Sequence, residues 1–272
     1  MPPVREREGG MQFDYGALTD VGRMRPNNED AILVDAGHGV LVLADGMGGY
    51  NAGEVASALA VDLIAGELAR WLDEAANVAS VRDVRRAMEI CVDNANRAIF
   101  DAANTHADYA GMGTTLVMAV LHGNTLVLGH VGDSRAYRWR NGELTQLTRD
   151  HSLLQEQMDI GLITAEEAAA SSNRNLVTRA LGVEDTVLLV VQDIPIEPDD
   201  MFLLCSDGLS DMLSDTDIAT LLAEPDQPLQ ARAEALVGLA NEQGGRDNIS
   251  VILMHAGQMP KKSGMMAKLL GK

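Results

Sequence analysis

No lysine occurs before residue 261, and the four present (Lys261, Lys262, Lys268, Lys272) fall in the last twelve residues, where there is no Asp or Glu. The rest of the chain sets 17 Arg against 40 acids, a charge of -23 that the tail brings back to -19. A surface so short of positive charge argues against a general binder of nucleic acid or of anionic membrane, because both need a basic face against phosphate. Cysteine is scarce as well. Cys91 and Cys205 are too few for a disulfide framework and lack the paired spacing of a zinc site, which fits a reducing compartment. No stretch approaches the roughly 20 apolar residues of a membrane span, and residues 1–10 have no apolar core of a signal peptide. The expectation is a cytoplasmic protein, monomeric, with no stable membrane insertion.

What is present is enough for a core. With 272 residues, 46% hydrophobic and 22% charged, the chain can fold as one domain or at most two, and disorder is excluded. Short β-rich runs open it at 13–18, 31–34 and 40–44, the last continuous and apolar like a strand buried on both faces. From 54 to 72 the period turns helical, with Val55, Leu59, Leu63, Leu68 and Trp71 recurring, and a second helical stretch covers about 81–103. Strands return at 114–121, 125–131 and 136–140, and Asn141-Gly142 turns the last into 144–147 as a hairpin. Residues 151–181 loosen into Ala-, Glu- and Ser-rich pieces, read as a small helical flap. Strands at 187–192 and 202–205, helices around 215–222 and 229–243, and a strand at 249–254 complete the chain. Strand runs broken by helix pairs favour an α+β layered sandwich over a doubly wound sheet.

Four segments place acids at strand ends: Asn28-Glu29-Asp30, Asp45-Gly46-Met47-Gly48-Gly49, Ser206-Asp207-Gly208 and Arg246-Asp247-Asn248. One Asp-Gly alone reads as a turn. Four such segments together suggest convergence, and the glycines let backbone approach a ligand closely. Converging carboxylates repel unless a cation neutralises them, and oxygen-only donors suit hard Mg²⁺ or Mn²⁺. Of the six histidines, all scattered, His151 at the edge of the flap is the hardest to dismiss.

These segments resemble the metal-dependent protein serine/threonine phosphatases of type 2C in their compact bacterial form. Arg25-Pro26-Asn27-Asn28-Glu29-Asp30 looks like the first motif and Asp45-Gly46-Met47-Gly48-Gly49 the second. Gly113-Thr114-Thr115 and Gly132-Asp133-Ser134-Arg135 resemble the middle pair, Ser206-Asp207-Gly208 the next and Gly245-Arg246-Asp247-Asn248 the last. Six matches in the family's order leave little room for accident. The resemblance implies a four-layer α-β-β-α sandwich, two antiparallel sheets flanked by helix pairs, with two Mn²⁺ or Mg²⁺ ions in a cleft at one end. On that basis Asp45 bridges both metals, Gly46 offers its carbonyl, Asp207 and Asp247 ligate the other ion, and Glu29 acts through a metal-bound water. Asp133 and Asp211 match a third, weaker metal position. Arg25 corresponds to the phosphate-binding arginine, and Asp30 and Asn248 to supports behind the ligands. A water shared by two dications is acidified toward hydroxide, so phosphate leaves in one in-line displacement without a covalent phosphoenzyme. The implied partners are Ser/Thr-phosphorylated proteins and a cognate Ser/Thr kinase. The implied organisation is a flexible segment at 1–10, a catalytic domain at 11–257 with its flap at about 148–182, and a flexible basic tail at 258–272.

Two positions depart from the family pattern. Met47 stands where many eukaryotic members carry a proton-donating His, and Ser171-Ser172-Asn173-Arg174-Asn175 replaces a His-Pro pair ahead of Arg-Asn in the flap. Other readings compete less well. Cys91 and Arg97 have the C-x5-R spacing of cysteine phosphatases, but the segment is helical and lacks glycine. A metal-dependent nuclease would share the acids yet lack a phosphate-tracking groove. A catalytically dead phosphoprotein-binding module would have lost a metal acid, and none is lost.

Overall fold

The computed structural model describes residues 11–48, 52–75, 78–170, 176–225 and 227–258. The N-terminal segment, the Lys-rich tail from 259, Gly49 and the flap residues 171–175 therefore lie outside the described residues. Eleven strands are assigned among the described residues. They are β1 (Met11–Asp20), β2 (Asp30–Asp35), β3 (Val40–Met47), β4 (Gly113–Thr114), β5 (Leu116–His122), β6 (Thr125–Val131), β7 (Arg135–Arg140), β8 (Glu143–Gln146), β9 (Val190–Pro195), β10 (Met201–Cys205) and β11 (Ile249–Gln258). One sheet has the order β1-β11-β10-β7-β8, the other β2-β3-β5-β6-β9 with β4 added on β3. Every strand pairing is antiparallel.

Helices α1 (Ala52–Ala75) and α2 (Val81–Thr105) cover the second sheet, and α6 (Asp215–Ala223) and α7 (Leu229–Glu242) cover the first. Short helices α3 (Leu153–Asp159) and α4 (Ala165–Ala170) build the flap, and a single turn, α5 (Asp207–Ser210), follows β10. The result is the expected α-β-β-α sandwich. Strand β3 shows why its sequence runs apolar without a break. Leu41 and Leu43 fill the space between the sheets, while Val40, Val42 and Ala44 face α1 and α2. Along α1 the inward row is Ala56, Ala60, Ile64, Leu68 and Leu72, steps of four that bury one stripe. Among the described residues no helix is long and apolar enough to cross a membrane.

Several boundaries differ from the sequence reading, and three of them have a local reason. The expected strand at 114–121 breaks at Thr115, whose amide donates to the Asp45 carbonyl at 2.8 Å instead of joining the ladder. The hairpin closes one residue early at Arg140 and Glu143, because Asn141 and Gly142 both take left-handed backbone (φ 52° and 85°) and make a two-residue turn. The strand expected at 187–192 forms at Val190–Pro195, where its register is set by Thr125 to His130 of β6.

Candidate metal centre

The register of the sheets gathers the acid segments at one end of the sandwich. Asp30 begins β2 directly opposite Asp45 near the end of β3. Cys205 ends β10 just before Asp207, and β11 begins just after Asp247 and Asn248. Cross-links hold these ends together. The Glu29 amide donates to Asn248 Oδ1 at 2.8 Å, while Asn248 Nδ2 donates to the Val21 and Asn27 carbonyls at 2.9 Å each. Ser206 Oγ donates to Asp30 Oδ2 at 2.8 Å and accepts from the Ser250 amide at 2.9 Å. Gly46 has no room for a side chain, since a Cβ there would run into the Gly53 and Glu29 backbone.

Thr115 and Thr114 fix the Asp45 backbone. The Asp45 amide donates to Thr115 Oγ1 at 3.1 Å, and Thr114 Oγ1 donates to the Asp45 carbonyl at 2.8 Å. Thr115 Oγ1 in turn lies 2.7 Å from Ser134 Oγ, next to Asp133. The sequence marked these hydroxyls as motif residues without a role, and their adjacency to Gly113 and Gly132 was the only signal.

The cluster is short of positive charge. Burial, then repulsion from Asp30, Asp207, Asp133 and Asp247, holds the Asp45 carboxyl well above the usual range, and burial with neighbouring acids does the same to Asp207. Burial pushes Asp30 to about 6 despite its serine hydrogen bonds, and burial with Asp150 pushes Asp133 to about 6. Glu29 is raised chiefly by burial. One nearby cation is Arg25, whose Nη2 donates to Asp247 Oδ2 at 2.6 Å. That contact outweighs the cost of burial and keeps the guanidinium firmly protonated.

Asp133, Asp207 and Asp211 line a partly open chamber of about 260 Å³ together with Leu154 and Met158 of the flap. Asp207 thus belongs both to the cleft and to this chamber. A larger hollow of about 490 Å³ between α1 and α2, walled by Trp71, Val78 and Ile90, holds none of these acids. The structure therefore brings Arg25, Glu29, Asp30, Asp45, Asp207, Asp247 and Asn248 to one cleft, with Asp133 and Asp211 along its side. Among the described residues no three His, Cys, Asp or Glu side chains form a closed ligand set as they stand. The donors nonetheless fit a hard dication in kind. They are all oxygens, they carry excess negative charge, and Asp30 keeps one buried carboxylate oxygen, Oδ1, without a hydrogen-bond partner.

The cysteine alternative finds no support. Cys91 lies within α2 and is 5% exposed, Cys205 is fully buried on β10, and burial pushes both thiols up to about 12. Neither supplies a thiolate.

Residues 24–250 match the family model described as Protein phosphatase 2C. The chain belongs to the protein phosphatase 2C family. This phosphatase 2C chain is 37% identical to a serine/threonine phosphatase stp of Listeria welshimeri over 89% of its own length and 96% of the relative's. It is 38% identical to protein phosphatase PhpP of Streptococcus pneumoniae over 89% and 97%. Among solved structures, the phosphatase 2C chain superposes on the Mycobacterium tuberculosis serine/threonine phosphatase PstP/Ppp with a TM-score of 0.82 at 39% identity, covering 90% of this chain and 99% of that one. A PstP catalytic domain in complex with two manganese ions gives 0.80 at 38% identity, covering 91% and 100%.

Proposed function

We propose that this chain removes phosphate from phosphoserine and phosphothreonine in proteins by direct attack of water, with two Mn²⁺ or Mg²⁺ ions held by Asp45, Gly46, Asp207 and Asp247. The observation that carries the reading is the convergence of four acid-bearing strand ends on one cleft, with Arg25 bound to one of its acids, Asp247. The PstP domain solved with two manganese ions supports the choice of metal. Bound dications supply an acidified water as nucleophile and neutralise the phosphoryl oxygens.

The chain's own groups do the rest. Arg25 offers the guanidinium edge not engaged by Asp247 to the phosphate, and its side chain is 48% exposed at the cleft mouth. A planar guanidinium can grip two phosphate oxygens together. Glu29, its amide pinned by Asn248 and its carboxylate within the field of Arg25, can hold a proton of the entering water. Asp30 and Asn248 orient the ends of β2 and β11, and Asp133 with Asp211 is the position for a further, weaker ion. Met47 has no proton to give, so protonation of the leaving alkoxide falls to water. We place the catalytic domain at 11–257. Since phosphoserine and phosphothreonine must first be made, the enzyme works opposite a Ser/Thr kinase.

Hydrolysis of a phosphothreonine peptide with Mn²⁺, and again after chelation, tests this directly. Asp207→Ala should lower turnover at least a hundredfold, since even residues behind a metal ligand are worth about 10–100-fold. Parental turnover in that variant would sink the two-metal assignment. Arg25→Ala should raise KM about 10–100-fold, the loss of a charge-assisted hydrogen-bond pair, and should weaken phosphate binding more than it changes Mn²⁺ affinity by calorimetry; an equal loss of Mn²⁺ affinity would count against the role. Cleavage of DNA under the same conditions would point to the nuclease instead.

A further inference from the structure

We propose that His151 is a positioning residue: its imidazole clasps Gly132 and so sets where Asp133 stands beside the metal cleft. The proposal rests on the reading of Asp133 as a metal carboxylate and names what holds it there.

The strap at 149–152, where the chain enters the flap, is tied down at every residue. His130 Nε2 lies 3.0 Å from the Arg149 carbonyl, so that nitrogen carries the proton. Asp150 receives the Arg135 fork through three contacts of 2.7 to 3.0 Å. The His151 amide donates to the Gly132 carbonyl at 2.9 Å, and the Gly132 amide donates back to His151 Nδ1 at 3.0 Å. Ser152 caps α3, and the Thr178 amide donates to the His151 carbonyl at 2.8 Å. Both edges of the flap therefore meet at His151.

Gly132 is the point where this matters. Its φ of +103° belongs to glycine, and a Cβ there would stand 2.7 Å from the side chain of Thr115. Thr115 is the residue whose hydroxyl accepts from the Asp45 amide. Gly132 is thus held between the His151 clasp on one side and the Asp45 support on the other, with Asp133 the next residue. The clasp requires a neutral ring, because Nδ1 must accept. His130 stacks on His151 with centroids 4.9 Å apart and planes 14° from parallel. Burial, His130 and Arg179 together hold His151 down to about 4, so the acceptor persists at neutral pH.

The test separates the acceptor from the ring. His151→Asn keeps an acceptor at the Nδ1 position without the ring, whereas His151→Phe keeps the ring and loses the acceptor. His151→Gln moves the acceptor away from Gly132 and repeats the loss without a second aromatic change. Three readings are taken: melting, exchange of the Gly132 amide by NMR, and Mn²⁺ binding by calorimetry. The Phe and Gln variants should lose Gly132 protection and weaken the weaker Mn²⁺ site about tenfold, the low end for residues behind a ligand, while Asn restores both. Phe or Gln matching the parent, or Asn no better than they are, would overturn the proposal. Failure of the metal reading looks different: Asp133→Asn would leave Mn²⁺ binding unchanged while Gly132 exchange still reports the clasp.

Discussion

At His38 the imidazole lies between two carboxylates, Nδ1 2.5 Å from Asp35 and Nε2 3.2 Å from Asp73, which ties the turn after β2 to the end of α1. Burial opposes its charge, but the two acids outweigh burial and raise its pKa. A folded-state pKa above the unfolded value of about 6.5 makes this stabilisation complete below that pH and lost as pH rises through the raised value. Asp35, whose contact with His38 outweighs its own burial, is lowered, so its share is lost only as pH falls below the ordinary carboxylate range. His38→Asn should therefore melt below the parent near pH 5–6, by about 0.5 kcal/mol for so accessible a pair, and converge with it near pH 9. An unchanged gap at pH 9 would show that the contact is not ionic. At this scale the sequence singled out the acids that the structure gathers at one cleft, because one Asp-Gly reads as a turn but four acid-bearing strand ends together do not. The roles of Thr115, Ser134 and His151 were not legible, because a hydroxyl or imidazole declares its partner only when another segment arrives against it.

Helix starts can be read one element at a time. Ser80 with Asp83 and Ser214 with Asp217 form capping boxes at the heads of α2 and α6, each serine accepting from the aspartate amide and each aspartate accepting from the serine amide. Ser214→Ala should cost about 1 kcal/mol. In a protein of this size that lowers the melting midpoint by about 2–4 °C, which calorimetry would detect. No change would mean that α6 is held by the burial of Ile218 and Leu222 alone. Elements such as α1, α2 and β6 match the sequence reading closely. The misplaced boundaries, at Thr115 and at the start of β9, lie where a partner strand or the Asp45 carbonyl competes for the backbone. The turn α5 at Asp207 was missed because four residues carry no period.

Across the whole molecule the absence of lysine before residue 261 has a structural counterpart. Every Lys or Arg in the described residues is arginine, and the most buried ion pairs use its fork: Arg135 on Asp150, and Arg140 on Asp200 through two contacts of 2.6 Å. Arginine suits these places because its planar donors meet a carboxylate two at a time. The charge of -19 left over should repel acidic substrates at long range, so that capture depends on Arg25 and the metals. Raising ionic strength from about 0.01 M to 0.15 M shortens screening from about 30 Å to 8 Å and should lower, or leave unchanged, KM for an acidic phosphopeptide. A KM that climbs steeply with salt would reveal an attractive field that the charge balance does not suggest.

By itself the sequence determined the chemistry available: hard oxygen donors beside glycines, one arginine in the first motif, a core arranged in strand and helix periods, and no basic surface. Those properties reside in single residues and short spacings, and they survive without a fold. Only the tertiary structure decided which groups act together. Arg25 meets Asp247 across 222 residues of chain, Asp207 reaches both the cleft and the chamber under the flap, and Gly132, the residue before Asp133, meets a histidine on the flap strap. The physical reason is register: antiparallel pairing fixes which strand ends coincide, and a contact between distant segments exists only once both sheets have stacked.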